Sequence, residues 1–215
     1  MAVTLPRRIP IFPLPTTVLF PHVPLPLHIF EERYCAMMRD ALAGPRVIGI
    51  SLLKPGWEKN YEGSPDVYNV GCAGIITQYE SLDNGCFNLI LLGQQPFHIV
   101  QEHREKAYRT ADVAYREDVL PSDTEVLGSL RAELIEQVNK LVRAGGATEK
   151  IIDAETTSLI SDREFPNMLA HMLTLTPLEK QALVEESDLA GRYRKLIDMI
   201  HFWRLGVGQR RGSVQ

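Results

Sequence analysis

The sequence predicts an α+β protein in which a β-rich half precedes an all-α half, and three observations predict it. Prolines at positions 6, 10, 13, 15, 21, 24 and 26 punctuate the opening and exclude a helix there, because proline lacks the N–H that a helix interior needs. Segments rich in β-branched and aromatic residues then recur, separated by Gly, Asn, Asp or Pro. Beyond Leu120-Pro121 the apolar residues take up the spacing of one helix face.

Taken in order, the prolines leave room for short strands at 9–12 and 25–29. Tyr34, Met37, Met38, Ala41 and Leu42 recur on one face of a first helix, which Gly44-Pro45 ends. Phe30, joining the proline-rich opening to that helix, is expected to be buried between them. Strands follow at 47–53, 70–79, 87–92, 97–102 and 108–115, with a tight hairpin turn at Asp83-Asn84-Gly85, where Asn and Gly tolerate positive φ. Ser122 and Glu125 are spaced as a capping box for a helix striped by Leu127, Leu130, Leu134, Val138 and Leu141, with Gly145-Gly146 as its stop. Pro166 sits at the start of another helix, and Thr176-Pro177-Leu178-Glu179 repeats the capping-box grammar with proline at the first helical position. Leu189, Tyr193, Leu196, Ile200 and Trp203 form a last stripe behind Asp188, and Gly206 is its expected stop. The organisation read from these signals is a β domain over 1–120, a helical bundle over 121–208 and a disordered tail over 209–215.

With 45% apolar and 23% charged residues the chain has the balance of a protein that buries a core, not of a disordered one. A net charge of −4 supplies no overall field to attract phosphate backbones, which argues against nucleic acid as the partner. The odd number of cysteines, Cys35, Cys72 and Cys86, without CxxC spacing, fits reduced thiols and a cytoplasmic location. No apolar run approaches the roughly 20 residues of a membrane span, and proline interrupts the N-terminus before a signal sequence could form, so neither membrane nor export is expected.

Catalytic motifs are not found. There is no GxxxxGK[ST] loop, the nearest fragment being 145–150, and no GxSxG or HExxH. Cys86, with His98 on what reads as the next strand, is the nearest approach to an activated thiol, and a cysteine in a strand is ordinarily a small hydrophobe. His22 and His28 lack a third ligand at suitable spacing, and His28 is expected to hydrogen-bond to backbone. No catalytic residue, cofactor or metal is therefore expected. Glu31 and Arg33 open the first helix, where Arg33 can hold that helix to the β half or clamp a ligand carboxylate. The loop 54–69 carries Trp57, Tyr61 and Tyr68, and aromatics are preferred anchors in recognition sites. Trp57, Tyr61, Tyr68 and Arg33 are the candidate peptide-binding residues; the alternative is that the aromatics fold back as a lid.

The run Ile9-Pro10-Ile11-Phe12-Pro13-Leu14, then Val18-Leu19-Phe20-Pro21, then Leu25-Pro26-Leu27-His28-Ile29-Phe30-Glu31-Glu32-Arg33-Tyr34 resembles the opening of the Lon N-terminal, substrate-recognition domain family. Val70-Gly71 leading into Ile75, the turn at Asp83 to Gly85, and Gly93 followed by Phe97 match in the same order. Leu173-Thr174-Leu175, Lys180 to Glu185 and a last helix with Arg192 and Leu196 resemble its helical part. One departure is Pro96, where the family usually places an arginine. The resemblance implies a PUA-like twisted β pseudo-barrel followed by a helical bundle, without the ATPase and Ser-Lys peptidase of full Lon proteases. It also implies a non-catalytic module that binds unfolded or extended polypeptide, an adaptor in protein quality control beside a chaperone or protease. RNA binding is the alternative, since PUA-like barrels occur in RNA-modifying proteins and Arg7, Arg8, Lys54, Lys59, Arg104, Lys106 and Arg109 supply positive charge.

Overall fold

Period-2 alternation in the first strand sets the position of the core. Ile9 and Ile11 turn fully inward from β1 (Arg8–Leu14) and meet Val47, Ala73, Phe97, Ala111 and Val113. The computed structural model of the protein describes residues 4–60, 63–83, 85–123, 125–144, 152–153 and 155–211. After β1 come β2 (Pro24–Ile29), α1 (Glu32–Ala43), β3 (Val47–Leu52), β4 (Val70–Ser81), β5 (Phe87–His103) and β6 (Thr110–Tyr115). The helices α2 (Glu125–Ala144), α3 (Glu164–Met172), α4 (Pro177–Glu185) and α5 (Leu189–Arg211) complete an α+β fold.

The sheet order is β2-β5-β4-β3-β1-β6, and β6 also pairs with β5, so β1, β3, β4, β5 and β6 close on themselves while β2 lies outside the ring. This closure depends on β5. The sequence reading divides it into strands at 87–92 and 97–102, yet it runs unbroken for 17 residues and changes partners on one side, pairing with β2 through its first half and β6 through its second. Gly93 is the reason the middle survives as strand. A Cβ there would strike the carbonyl of Phe20, and without one the backbone exchanges hydrogen bonds with the preceding loop, Gly93 N to Val23 O at 3.0 Å and His22 N to Gly93 O at 2.9 Å. Pro96 also stays in register, opposite Cys72.

Cys86 therefore lies just before the start of β5 and His98 in its second half, rather than on neighbouring strands. Phe87, next to Cys86, pairs with Ile29, whereas His98 pairs with Val70 and Ala114. The arrangement gives the thiol no base from that histidine. All three cysteines are buried thiols outside any disulfide, and burial pushes the Cys35 thiol above its ordinary pKa.

The chain packs as two compact units, Met1–Glu117 with His171–Glu185, and Asp118–Ala170 with Glu186–Gln215. A single boundary near residue 120 does not describe this, because α4 returns to the β unit. There the buried Gln181 donates from Nε2 to the Val70 carbonyl at 3.0 Å. In the second unit the stripe of α2 packs on that of α5, with Leu134, Leu196 and Ile200 fully buried. Arg192 is buried as well, and its guanidinium donates to Asp118 Oδ1 at 2.6 Å, Asn167 Oδ1 at 3.2 Å and the Glu186 carbonyl at 2.7 Å. A buried charge requires such partners.

Helix starts follow the capping rules, though not always at the expected residues. Thr176 and Glu179 form the expected reciprocal box, Thr176 N to Glu179 Oε2 at 2.7 Å and Glu179 N to Thr176 Oγ1 at 3.3 Å. Ser161 and Glu164 form another at α3, which the sequence reading missed. At α2 the Glu125 amide is instead taken by Asp123 Oδ1 at 2.9 Å, in place of the Ser122 to Glu125 box. Gly145-Gly146 and the fragment 145–150 lie outside the described residues. Gly206 does not end α5, which runs to Arg211 and so takes in 209–211 of the expected tail; 212–215 lie outside the described residues. Each interior glycine, Gly206 and then Gly208, costs a helix only about 1 kcal/mol relative to alanine, and the buried stripe of α5 lies upstream of both.

Candidate functional site

The outer part of the sheet, where β2, β5 and β4 run together, has two faces that differ in kind. Register places Leu25, Leu91 and Ile76 on one row, all buried. One residue along β2 and β5, and two along β4 past a β-bulge between Ile76 and Gln78, the side chains reverse: Pro26 pairs with Ile90 and Ile90 with Gln78, and beyond them His28 pairs with Asn88 and Asn88 with Glu80. Ile90 is half-buried and the other five are exposed. Together with neighbouring Leu27, Tyr79 and Leu89 they line an open groove of about 530 Å³.

A hydrogen-bonded ladder crosses this face. His28 Nδ1 lies 2.7 Å from Asn88 Oδ1, and Asn88 Nδ2 donates to Glu80 Oε2 at 3.4 Å. The side-chain pairing with Asn88 takes the place of the backbone contact expected for His28. Asn88 donates outward from Nδ2 and accepts at Oδ1, so the facing imidazole nitrogen carries a proton. Phe30 extends the same surface. Sequence reasoning buried it, but it is 67% exposed, and its ring stacks on His28 with centroids 6.0 Å apart. Alternation is the cause: Ile29 turns into the core as the last residue of β2, so the next side chain turns out, before α1 begins with a buried face of Tyr34, Cys35, Met37, Met38 and Ala41.

β2 also has the sheet's free edge among the described strands. Prolines 24 and 26 have no N–H to offer there, a protection against pairing with another strand. The face can engage a chain through side chains more readily than by strand addition.

Trp57, Tyr68 and Arg33, three of the residues singled out in the sequence, lie elsewhere on the β unit. Trp57 opens a 3-10 turn (Trp57–Asn60), is half-buried and lines a shallow depression with Pro55, Ser64 and Pro65. Tyr68 is half-buried too, and its backbone N donates to Leu52 O at 2.8 Å, which folds the end of the loop along β3. Tyr61 lies outside the described residues. Arg33 pairs with Glu31 through Nε at 2.9 Å and Nη2 at 2.8 Å, with its guanidinium 4.7 Å from the Tyr34 ring centroid. It lines a separate small cavity that Ser64 and Pro65 also line, so Arg33 and Trp57 stand on two sides of one loop segment. Among the described residues no group of three or more His, Cys, Asp or Glu could hold a metal ion.

Residues 8–201 match the family model of the ATP-dependent protease La (LON) substrate-binding domain. The chain belongs to the Lon substrate-binding domain family. Lon protease 2 of Myxococcus xanthus is 27% identical over 204 residues, covering 92% of this chain and 24% of that protein. Lon protease 1 of Bacillus subtilis is 26% identical over 211 residues, covering 94% of this chain and 26% of its own length. The chain thus spans about a quarter of these relatives, and the matched family is their substrate-binding domain rather than an ATPase or protease domain.

Two solved structures share the fold. The Lon N-terminal domain protein from Xanthomonas campestris superposes with a TM-score of 0.60 at 21% identity, covering 89% of this chain and 97% of that one. The N-terminal domain of Mycobacterium avium complex Lon protease gives a TM-score of 0.64 at 18% identity, over 90% and 98%. For this Lon substrate-binding domain the motif glycines have local reasons: Gly93 admits the Phe20 carbonyl, and a Cβ on Gly71 would strike the carbonyl of Ile50. Alternation marks Pro26 and His28 on β2 and Asn88 and Ile90 on β5 as outward, but on β4 it would set Gln78 and Glu80 on the face of the buried Ile76, and only the β-bulge after Ile76 turns them out.

Proposed function

We propose that this Lon substrate-binding domain recognises unfolded or extended polypeptide on the outer face of β2, β5 and β4. Its role is binding without catalysis, in the cytoplasm, as an adaptor that delivers clients to a protease or chaperone. The supporting observation is the exposed groove itself, where Pro26 and Ile90, with Phe30 stacked on His28 beside it, offer apolar contact next to the donors and acceptors of His28, Asn88, Glu80 and Gln78. An unfolded chain presents that same mixture of apolar side chains and unpaired backbone groups. No helix of the described residues is long and apolar enough to cross a membrane.

Trp57, Tyr61, Tyr68 and Arg33 form a second contact zone in this proposal, supported by the half-exposed Trp57 beside its depression. The RNA alternative has less support, because Arg8, Lys106 and Arg109 are each paired with a carboxylate, of Asp112, Asp40 and Glu102, and do not form a free basic track.

The test is the affinity for casein, an intrinsically unfolded probe, of the wild type and of the double variant Phe30→Ser with Ile90→Ser. Binding should weaken by more than about 2 kcal/mol, the scale of an interface hot spot. Undiminished binding would reject the groove. The double change Trp57→Ala with Tyr61→Ala should weaken binding less, with the melting temperature nearly unchanged.

A further inference from the structure

On the β unit, away from the groove, a cavity of about 100 Å³ lies between the start of α1, the loop at Gly63 to Pro65 and the turn joining β5 to β6. Four cationic side chains line it, Arg33, Arg104, Lys106 and Arg109, in a chain whose net charge is −4. Their existing partners determine what remains available. Arg109 is committed: its side chain is 7% exposed, and it donates to Glu102 Oε1 at 3.1 Å and to the Pro65 carbonyl at 2.7 Å. Arg33 is held by Glu31. Lys106 donates to Asp40 Oδ2 at 2.5 Å and to the Tyr108 hydroxyl at 3.1 Å, which leaves one of the three protons of an ammonium. Arg104 is exposed and has no ion-pair partner among the described residues, so its whole fork is available.

Three carboxylates, Glu31, Asp40 and Glu102, face three of these cations, and the fourth is left uncompensated. The other walls are apolar or aromatic, from Pro13, Tyr34, Leu53 and Pro65. A cavity far smaller than the several hundred Å³ of a typical ligand site holds one small group, not a nucleotide. A guanidinium fork beside an ammonium matches the two oxygens of a carboxylate, and the apolar wall suits a side chain carried on the same carbon.

We infer that this cavity captures the free C-terminal carboxylate of a bound polypeptide, with Arg104 and Lys106 as its donors. The inference rests on the proposed polypeptide recognition and adds a preference for chain ends. Terminal carboxylates are captured elsewhere by nests of backbone donors, and here a guanidinium beside an ammonium supplies the donors from side chains.

The experiment compares a short, unstructured, fluorescently labelled peptide ending in leucine with its C-terminal amide, bound to the full chain by fluorescence anisotropy. The acid should bind about tenfold tighter or more, as expected when a charge-assisted hydrogen bond is gained. Arg104→Gln should abolish that preference while leaving the amide's affinity and the melting temperature unchanged, since Arg104 is exposed and unpaired. Equal binding of acid and amide overturns the inference but leaves groove recognition intact. Binding of neither peptide overturns both. If inorganic phosphate at millimolar concentration displaces the acid peptide more strongly than acetate does, and only when Arg104 is present, the site is a phosphate site and the carboxylate assignment is wrong.

Discussion

The two faces of the β2-β5-β4 sheet are built from the same strands, a residue or two out of step, yet they do opposite work. Leu25, Leu91 and Ile76 are buried and hold the fold, whereas Pro26, His28, Asn88, Gln78 and Glu80 are exposed and cost the fold little. On β2 and β5 alternation alone separates the two sets, and on β4 a bulge after Ile76 does. Stability and recognition can therefore be separated by mutation at adjacent positions.

The largest effect is expected on the inner face. Leu91→Ala removes a fully buried side chain and should cost about 2 to 5 kcal/mol in urea unfolding. The control is on the outer face: Gln78→Ala, at an exposed position of the groove, should change stability by no more than about 0.5 kcal/mol, the scale of surface substitutions, while impairing casein binding. If the two variants were equally destabilised, the distinction between the faces would fail. Phe30→Ala sharpens the same point, because a truncated core phenylalanine would cost about 3 to 5 kcal/mol and an exposed one about 0.5 or less.

Much of the inner face was legible in the sequence and little of the outer. Ile9 and Ile11, the buried face of α1 and the Thr176 to Glu179 box are set by neighbours a few residues away, and the periodicity carries them. The continuity of β5 is not local. It depends on the loop around Phe20 reaching Gly93, and a reading based on glycine and proline as breaks divides the strand. The same holds for α4, attached to β4 through Gln181 and Val70, 111 residues apart, and for His28 with Asn88, 60 apart. For function, the sequence drew attention to aromatic residues in a loop because composition marks them. The groove escaped notice because its residues are ordinary strand residues whose common face exists only after pairing.

The smallest effect is confined to acid and concerns the seam of the ring. Asp112 accepts from Arg8 at 2.8 Å and lies 3.0 Å from the ring nitrogen of His103, and these partners hold its carboxyl well below the usual carboxylate range. A group with a depressed folded pKa contributes stability that is present above its unfolded value, about 3.9, and is lost as pH falls toward the folded one. Asp112→Asn should therefore flatten the loss of stability below about pH 4. An unchanged acid limb would mean the contacts at Asp112 do not contribute in solution.

The central claim, that the outer face of β2, β5 and β4 is the recognition surface, is tested most directly by amide chemical-shift mapping of the labelled chain as casein is added. The account predicts that the largest shifts fall at residues 26–30, 78–80 and 88–90, with smaller ones at 54–60 and 63–69. Shifts concentrated in the loop, with the groove residues unmoved, would contradict it.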